Sequence, residues 1–99
     1  MLDIRRGEHG EIALSGRFDA SQADQVERFL EGVTGQVLLD FKELQYISSL
    51  GLGTLVKVQK RLHTTGGGIR LRNVSPHIRD ILQFSGLHLL FPIETPPSP

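Results

Sequence analysis

Val37-Leu38-Leu39-Asp40-Phe41, followed after a short loop by Ser48-Ser49-Leu50-Gly51-Leu52-Gly53, is the stretch whose reading decides the fold. The first part is a short, nearly continuous apolar run, which predicts a strand covered on both faces. The loop between carries Leu44, Tyr46 and Ile47, and Ser48-Ser49 then opens a helix, since serine is a favoured N-cap. Leu52, Leu55, Val56 and Leu62 follow at helical spacing and predict its buried stripe, while Lys57, Lys60 and Arg61 fall together on the outer side. A buried strand feeding an amphipathic helix is the repeating unit of a parallel α/β sheet.

Working outward, the same alternation continues on both sides. Upstream, Ser21 reads as an N-cap with Asp24 completing an approximate capping box. Ala23, Val26, Phe29, Leu30 and Val33 then predict a helix over Ser21–Gly32, closed by Gly32 and Gly35. Before it, Met1–Arg6 reads as an edge strand, Gly7–Gly10 as a turn and Glu11–Gly16 as its hairpin partner. Downstream, Thr64-Thr65-Gly66-Gly67-Gly68 breaks the second helix and Ile69–Arg72 reads as a strand. Ser75-Pro76 starts a third helix with Ile78, Ile81 and Leu82 as its stripe and Ser85-Gly86 as its stop. Leu89–Ile93 is expected to be a last strand, confined to an edge by Pro92. Glu94–Pro99 holds three prolines and is expected to be a disordered tail.

These segments predict one α/β domain over residues 1–93, in the order β-β-α-β-α-β-α-β. Right-handed crossovers should give a mixed, mostly parallel sheet with the opening hairpin at an antiparallel edge. The expected core includes Ile12, Leu14, Val26, Leu30, Leu38, Leu55, Val56, Ile81 and Leu82.

The 99 residues suit a single small domain. A formal net charge of zero argues against the broad basic surface of a nucleic-acid binder. That zero hides an imbalance: Met1–Gln45 carries nine acidic and five basic side chains, Tyr46–Pro99 two acidic and six basic. Without cysteine, neither disulfides nor a thiolate site is available, and His9, His63, His77 and His88 show no metal-ligand spacing. No cofactor or metal is expected. Met1–Arg6 lacks the apolar stretch of a signal peptide, and no segment approaches the ~20 apolar residues of a membrane span, so the expected location is the cytoplasm.

Catalytic chemistry finds little support. Nothing pairs Ser48 or Ser49 with a base, and their position at the start of a helix explains them as caps. Gly51-Leu52-Gly53 lacks the third glycine of a dinucleotide fingerprint and the Gly-Lys-Ser/Thr ending of a P-loop. Gly66–Gly68 follows a helix and reads as a connector.

The junction Tyr46–Gly53 resembles the central motif of STAS domains of anti-sigma-factor antagonists. Ser15-Gly16-Arg17-Phe18-Asp19-Ala20 is similar to that family's turn before its first helix. Asn73–Pro76 and Phe84–Leu87 resemble the ends of its third. The likeness spans about residues 1–93. It implies a binding protein with no catalytic site of its own. Its partner would be an anti-sigma factor that is often a serine kinase of the histidine-kinase-like ATPase type, and a PP2C-type phosphatase would reverse the phosphorylation. It implies a phosphoacceptor at Ser49 or Ser48, and a partner surface of Asp19, Ala20, Ser21, Ser48, Ser49, Leu50, Gly51, Leu52 and Gly53. Asp19 reads equally well as a turn residue bonding its own backbone.

Two departures matter. The strictest family members carry the acceptor directly before Gly-Leu, where this chain has Leu50, and their preceding Asp is Ser48. The family's C-terminal helix is replaced by the proline-rich tail, which is expected to leave apolar surface for a partner or for self-association. Three readings stay open: a phospho-switched antagonist, a constitutive STAS scaffold subunit of a signalling or transporter complex, and a nucleotide- or small-ligand-binding domain.

Overall fold

The computed structural model of the chain describes residues 2–94. It begins with the hairpin: β1 (Leu2–Arg6) pairs antiparallel with β2 (Ile12–Phe18), from Leu2 opposite Gly16 to Arg6 opposite Ile12. Strand alternation sends Leu2, Ile12 and Leu14 to one face, where all three are buried. The chain then turns through a short 3₁₀ segment, Ala20–Gln22, into α1 (Ala23–Glu31). Val26, Leu30 and Val33 are buried, as the helical spacing requires. The start differs from expectation. Asp19 and Gln22, not Ser21 and Asp24, form the capping box, because the 3₁₀ turn takes up the residues before the helix.

β3 (Gln36–Asp40) lies parallel to β2 and to β5 (Gly68–Arg72). Between them comes a strand where the sequence predicts a loop, β4 (Leu44–Ile47). It pairs parallel with Gly16–Phe18 of β2. Gly16 is registered to Leu2 on one edge and to Leu44 on the other, so β4 continues along the edge of β2 that β3 began. A kink at Phe41–Glu43 separates them, closed by the Leu44 N–H donating to the Phe41 carbonyl at 3.0 Å.

α2 (Ser49–His63) connects β4 to β5, and α3 (Pro76–Ser85) follows β5. Ser75 caps α3 by accepting from the Ile78 N–H, and Gly86 stops it at φ 77°, a conformation glycine adopts without strain. Successive right-handed crossovers that step the same way across a sheet put their helices on one face, and α1 and α2 do pack against each other. Val37, Leu39, Ile69, Leu71, Leu55, Val58 and Leu62 are all buried in this core.

The opposite face of the sheet is polar. It carries Arg5, Ala13, Ser15, Asp40, Arg70 and Arg72 by alternation, so β3 is not apolar on both sides as expected. Leu38, expected in the core, stands on this second face beside Arg70 and is half-buried. Val56 and Ile81 are also half-buried, because the centre of each helical stripe sits elsewhere: at Val58 in α2 and at Ile78 and Leu82 in α3.

The expected last strand, Leu89–Ile93, is a correction. Leu87–Leu89 forms a 3₁₀ turn, and only Ile93 bridges, in parallel, to Leu71. The Leu71 N–H donates to the Pro92 carbonyl and the Glu94 N–H to the Leu71 carbonyl. Proline has no N–H to extend a ladder, which limits this contact to one residue. Glu94, counted with the tail, is thus tied to β5; residues 95–99 lie outside the described residues, as does Met1.

Buried Gln59 of α2 completes this edge. Its Oε1 accepts from the Ile69 N–H at 2.6 Å, and its Nε2 donates to the Leu90 carbonyl. The amide stands where a neighbouring strand would have supplied partners, so a polar side chain is retained in the core without loss.

Candidate functional site

The C-terminal ends of β2 and β4 bring the sequence-predicted residues together. The Ser48 N–H donates to the Phe18 carbonyl at 2.8 Å, which seats the start of α2 beside Asp19 and the 3₁₀ turn. Gly51 makes this seating possible. A Cβ there would lie 3.1 Å from the Phe18 carbonyl and 3.1 Å from the Ile47 side chain. Gly51 and Leu52 are buried beneath the surface; Ala20, Ser21, Ser49, Leu50 and Gly53 are exposed on it.

The two serines have different jobs. Ser48 is half-buried, extended at ψ 169°, and its hydroxyl accepts from the Gly51 N–H at 3.1 Å. It is the N-cap, and it satisfies one of the backbone donors that a helix start leaves open. Ser49 is the first residue of α2, exposed, and its hydroxyl makes no hydrogen bond among the described residues. It sits at the positive end of a fifteen-residue helix, where negative charge is favoured. Leu50 follows at 56% exposure.

Asp19 is bound locally. Its Oδ1 accepts from the Ser21 hydroxyl at 2.7 Å and the Ser21 N–H at 3.1 Å, while its own N–H donates to Gln22 Oε1 at 3.0 Å. The Ser21 hydroxyl is the main reason its carboxyl titrates below the usual carboxylate range. Beyond it, Arg17 stacks over the Tyr46 ring at 4.3 Å and covers the flank of β2 and β4.

A second polar cluster, not foreseen from the sequence, holds the loops behind the site. Burial pushes the Asp40 carboxyl up, but the Lys42 N–H, Arg72 and Asn73 all donate to it and bring it net below its ordinary value. Asn73 takes φ 58° here, a region asparagine tolerates better than most residues. The sequence signal was present in Asp40, the one acid inside an apolar strand.

α1 and α2 carry the charge imbalance across from each other. Lys57 pairs with Glu27 at 2.9 Å, and Arg61 donates to the Leu30 and Val33 carbonyls, closing the C-terminal end of α1. Other exposed apolar side chains are Phe84, at 92%, Leu89 and Leu90, all at or after the end of α3. Among the described residues no group of three or more His, Cys, Asp or Glu could hold a metal ion, and no helix is long and apolar enough to cross a membrane.

A family model described as Mlab, STAS domain, matches residues 2–92. The chain belongs to the STAS-domain family. BtrV of Bordetella bronchiseptica, carried under the name of an anti-sigma factor antagonist, is 33% identical over 84 residues, 81% of this chain and 72% of that protein. An anti-sigma F factor antagonist of Paenibacillus polymyxa is 29% identical over 87 residues, 83% and 74% of the two chains. Among solved structures, the phosphorylated form of the Bacillus cell fate determinant SpoIIAA superposes with a TM-score of 0.68. It is 22% identical, with 96% of this STAS domain and 92% of that chain covered. The mixed sheet with three helices described above is the fold shared with such neighbours.

Proposed function

We propose that this STAS domain is an anti-sigma-factor antagonist, binding an anti-sigma factor that is also a serine kinase and released from it by phosphorylation of Ser49. The names of the two relatives support the antagonist role. The observation that carries the switch is the division of labour at the start of α2. The Ser48 hydroxyl is spent on the Gly51 N–H, whereas the Ser49 hydroxyl is exposed and free to accept a phosphoryl group. The domain is then substrate and ligand, with no chemistry of its own. The kinase is of the histidine-kinase-like ATPase type, a PP2C-type phosphatase resets it, and the cycle runs in the cytoplasm. Asp19, Ala20, Ser21, Ser48, Ser49, Leu50 and Gly53 form the contact surface, with buried Gly51 and Leu52 supporting it from beneath.

The physics of release is local. An acceptor hydroxyl must approach the γ-phosphate of the kinase's nucleotide in line, so a phosphate left on Ser49 confronts the remaining anionic phosphates. The helix start tolerates the new group in the free domain, through the dipole and the open N–H groups, while the complex bears about −1.5 to −2 extra charges at its centre.

Ser49→Asp is expected to weaken kinase binding at least about tenfold, ~1.4 kcal/mol, and Ser49→Ala to bind as well as the parent. Calorimetric affinities, with mass spectrometry after incubation with kinase and ATP, check this. Normal binding by Ser49→Asp with no phosphate on Ser48 or Ser49 would refute the switch. The reading left standing would be a constitutive STAS scaffold, which one observation favours: the residue directly before Gly51-Leu52 is Leu50, with no hydroxyl to modify.

A further inference from the structure

We propose that the groove between α1 and α2 beside Leu50 is a socket for an apolar side chain of the partner, followed by a lysine or arginine that meets Asp24. The inference rests on the partner-binding reading above and adds what the partner must present.

Ala23, Asp24 and Glu27 on α1 and Leu50, Gly53, Thr54 and Lys57 on α2 line an open depression of about 370 Å³, ample for a large side chain. A single exposed leucine is ordinary on a protein surface, but Leu50 stands over Gly53, one turn further along the same helix face. Glycine in a helix interior is destabilising, and nothing lies within 4 Å of where a Gly53 Cβ would sit. The missing side chain is therefore not required by packing inside the domain, and its effect is to leave the socket open.

The charges at the mouth are unequal. Lys57 neutralises Glu27 at 2.9 Å, while Asp24 is exposed and has no ion pair among the described residues. Glu31, two helical turns along, is likewise unpaired and borders the same side of α1, but there Arg28 accompanies Asp24 and Glu27; within the groove's own lining Asp24 and Glu27 face Lys57 alone. The upper end of the groove therefore keeps an excess negative charge, complementary to a cationic residue next to the inserted apolar one. Ser49 is not part of the lining, so the socket and the phosphorylation position make separate contacts.

The test uses the kinase that co-purifies with the parent domain, expressed and purified on its own. Gly53→Leu, which fills the socket, and Leu50→Ala, which removes its apolar wall, are each expected to weaken binding at least tenfold. Asp24→Lys should weaken it severalfold and flatten its salt dependence, and Arg70→Ala, on the polar face of the sheet, should leave it unchanged. Thermal melts check that each variant is folded; Leu50→Ala alters an exposed residue and keeps the test decisive if Gly53→Leu misfolds. Should the parent bind and Ser49→Asp release it while Leu50→Ala and any folded Gly53→Leu bind within twofold of the parent, the socket is wrong and the switch stands. If no kinase co-purifies with the parent, both readings are overturned.

Discussion

The two halves of α2 are built to opposite specifications. From Leu55 to Leu62 the inward face of the helix is fully packed: Leu55, Val58 and Leu62 are buried, and even the polar Gln59 is buried with both ends of its amide bonded. From Ser49 to Gly53 the same helix buries Gly51 and Leu52 but exposes a leucine, a glycine and a hydroxyl that has no bond among the described residues. The buried half positions the exposed half, so the first turn can carry groups that contribute little to stability. The contrast teaches where substitutions should be felt as unfolding and where as lost binding.

The sharpest way to break the contrast is Leu55→Asp. It places an unpaired charge in the core, a loss of about 4–5 kcal/mol or more against a total of about 5–15, and the expected result is no cooperative thermal transition. A soluble, cooperatively melting variant would show the buried half to be misassigned. Gln59→Ala comes next. It strands the Ile69 N–H and the Leu90 carbonyl, and an unsatisfied buried group costs about 1–3 kcal/mol, read as a lowered denaturant midpoint. At the first turn, Ser48→Ala should cost about 1 kcal/mol as a lost N-cap, and Ser49→Ala within ~0.5 kcal/mol of nothing. Equal losses would erase the distinction between the serines. One further effect has the opposite sign: Gly53→Ala should stabilise by about 0.5–1 kcal/mol, because the Cβ meets nothing and the helix loses a glycine.

Much of this was legible in the sequence, where periodicity and punctuation agreed. The Ser75-Pro76 start and Gly86 stop of α3 stand as read, and so does the helical spacing of Val26, Leu30 and Val33. What failed did so for identifiable reasons. β4 is only four residues and owes its existence to β2, pairing with it across an irregular step at Gly16 and Arg17 that no local pattern announces. Leu89–Ile93 looks like a strand because it is apolar, yet only Phe91 of that run is buried, and the 3₁₀ turn after Gly86 sets its direction. Gln59 was passed over because a helical stripe is read from apolar residues, and a polar one inside it is invisible until its partners are known. At the candidate site the residues were named from a family likeness, but the sequence could not say which serine's hydroxyl is occupied, since adjacent serines differ only in how the backbone presents them.

Gly51 has a mechanical consequence. Its bare α-carbon lets the start of α2 rest directly on the end of β2, with the Phe18 carbonyl holding the Ser48 N–H and crowding any added Cβ. Sliding or tilting the start of this helix would break the Ser48–Phe18 hydrogen bond beneath it. On the proposed switch, modification of Ser49 is therefore read as a change of charge at a fixed address, not as movement transmitted through the domain.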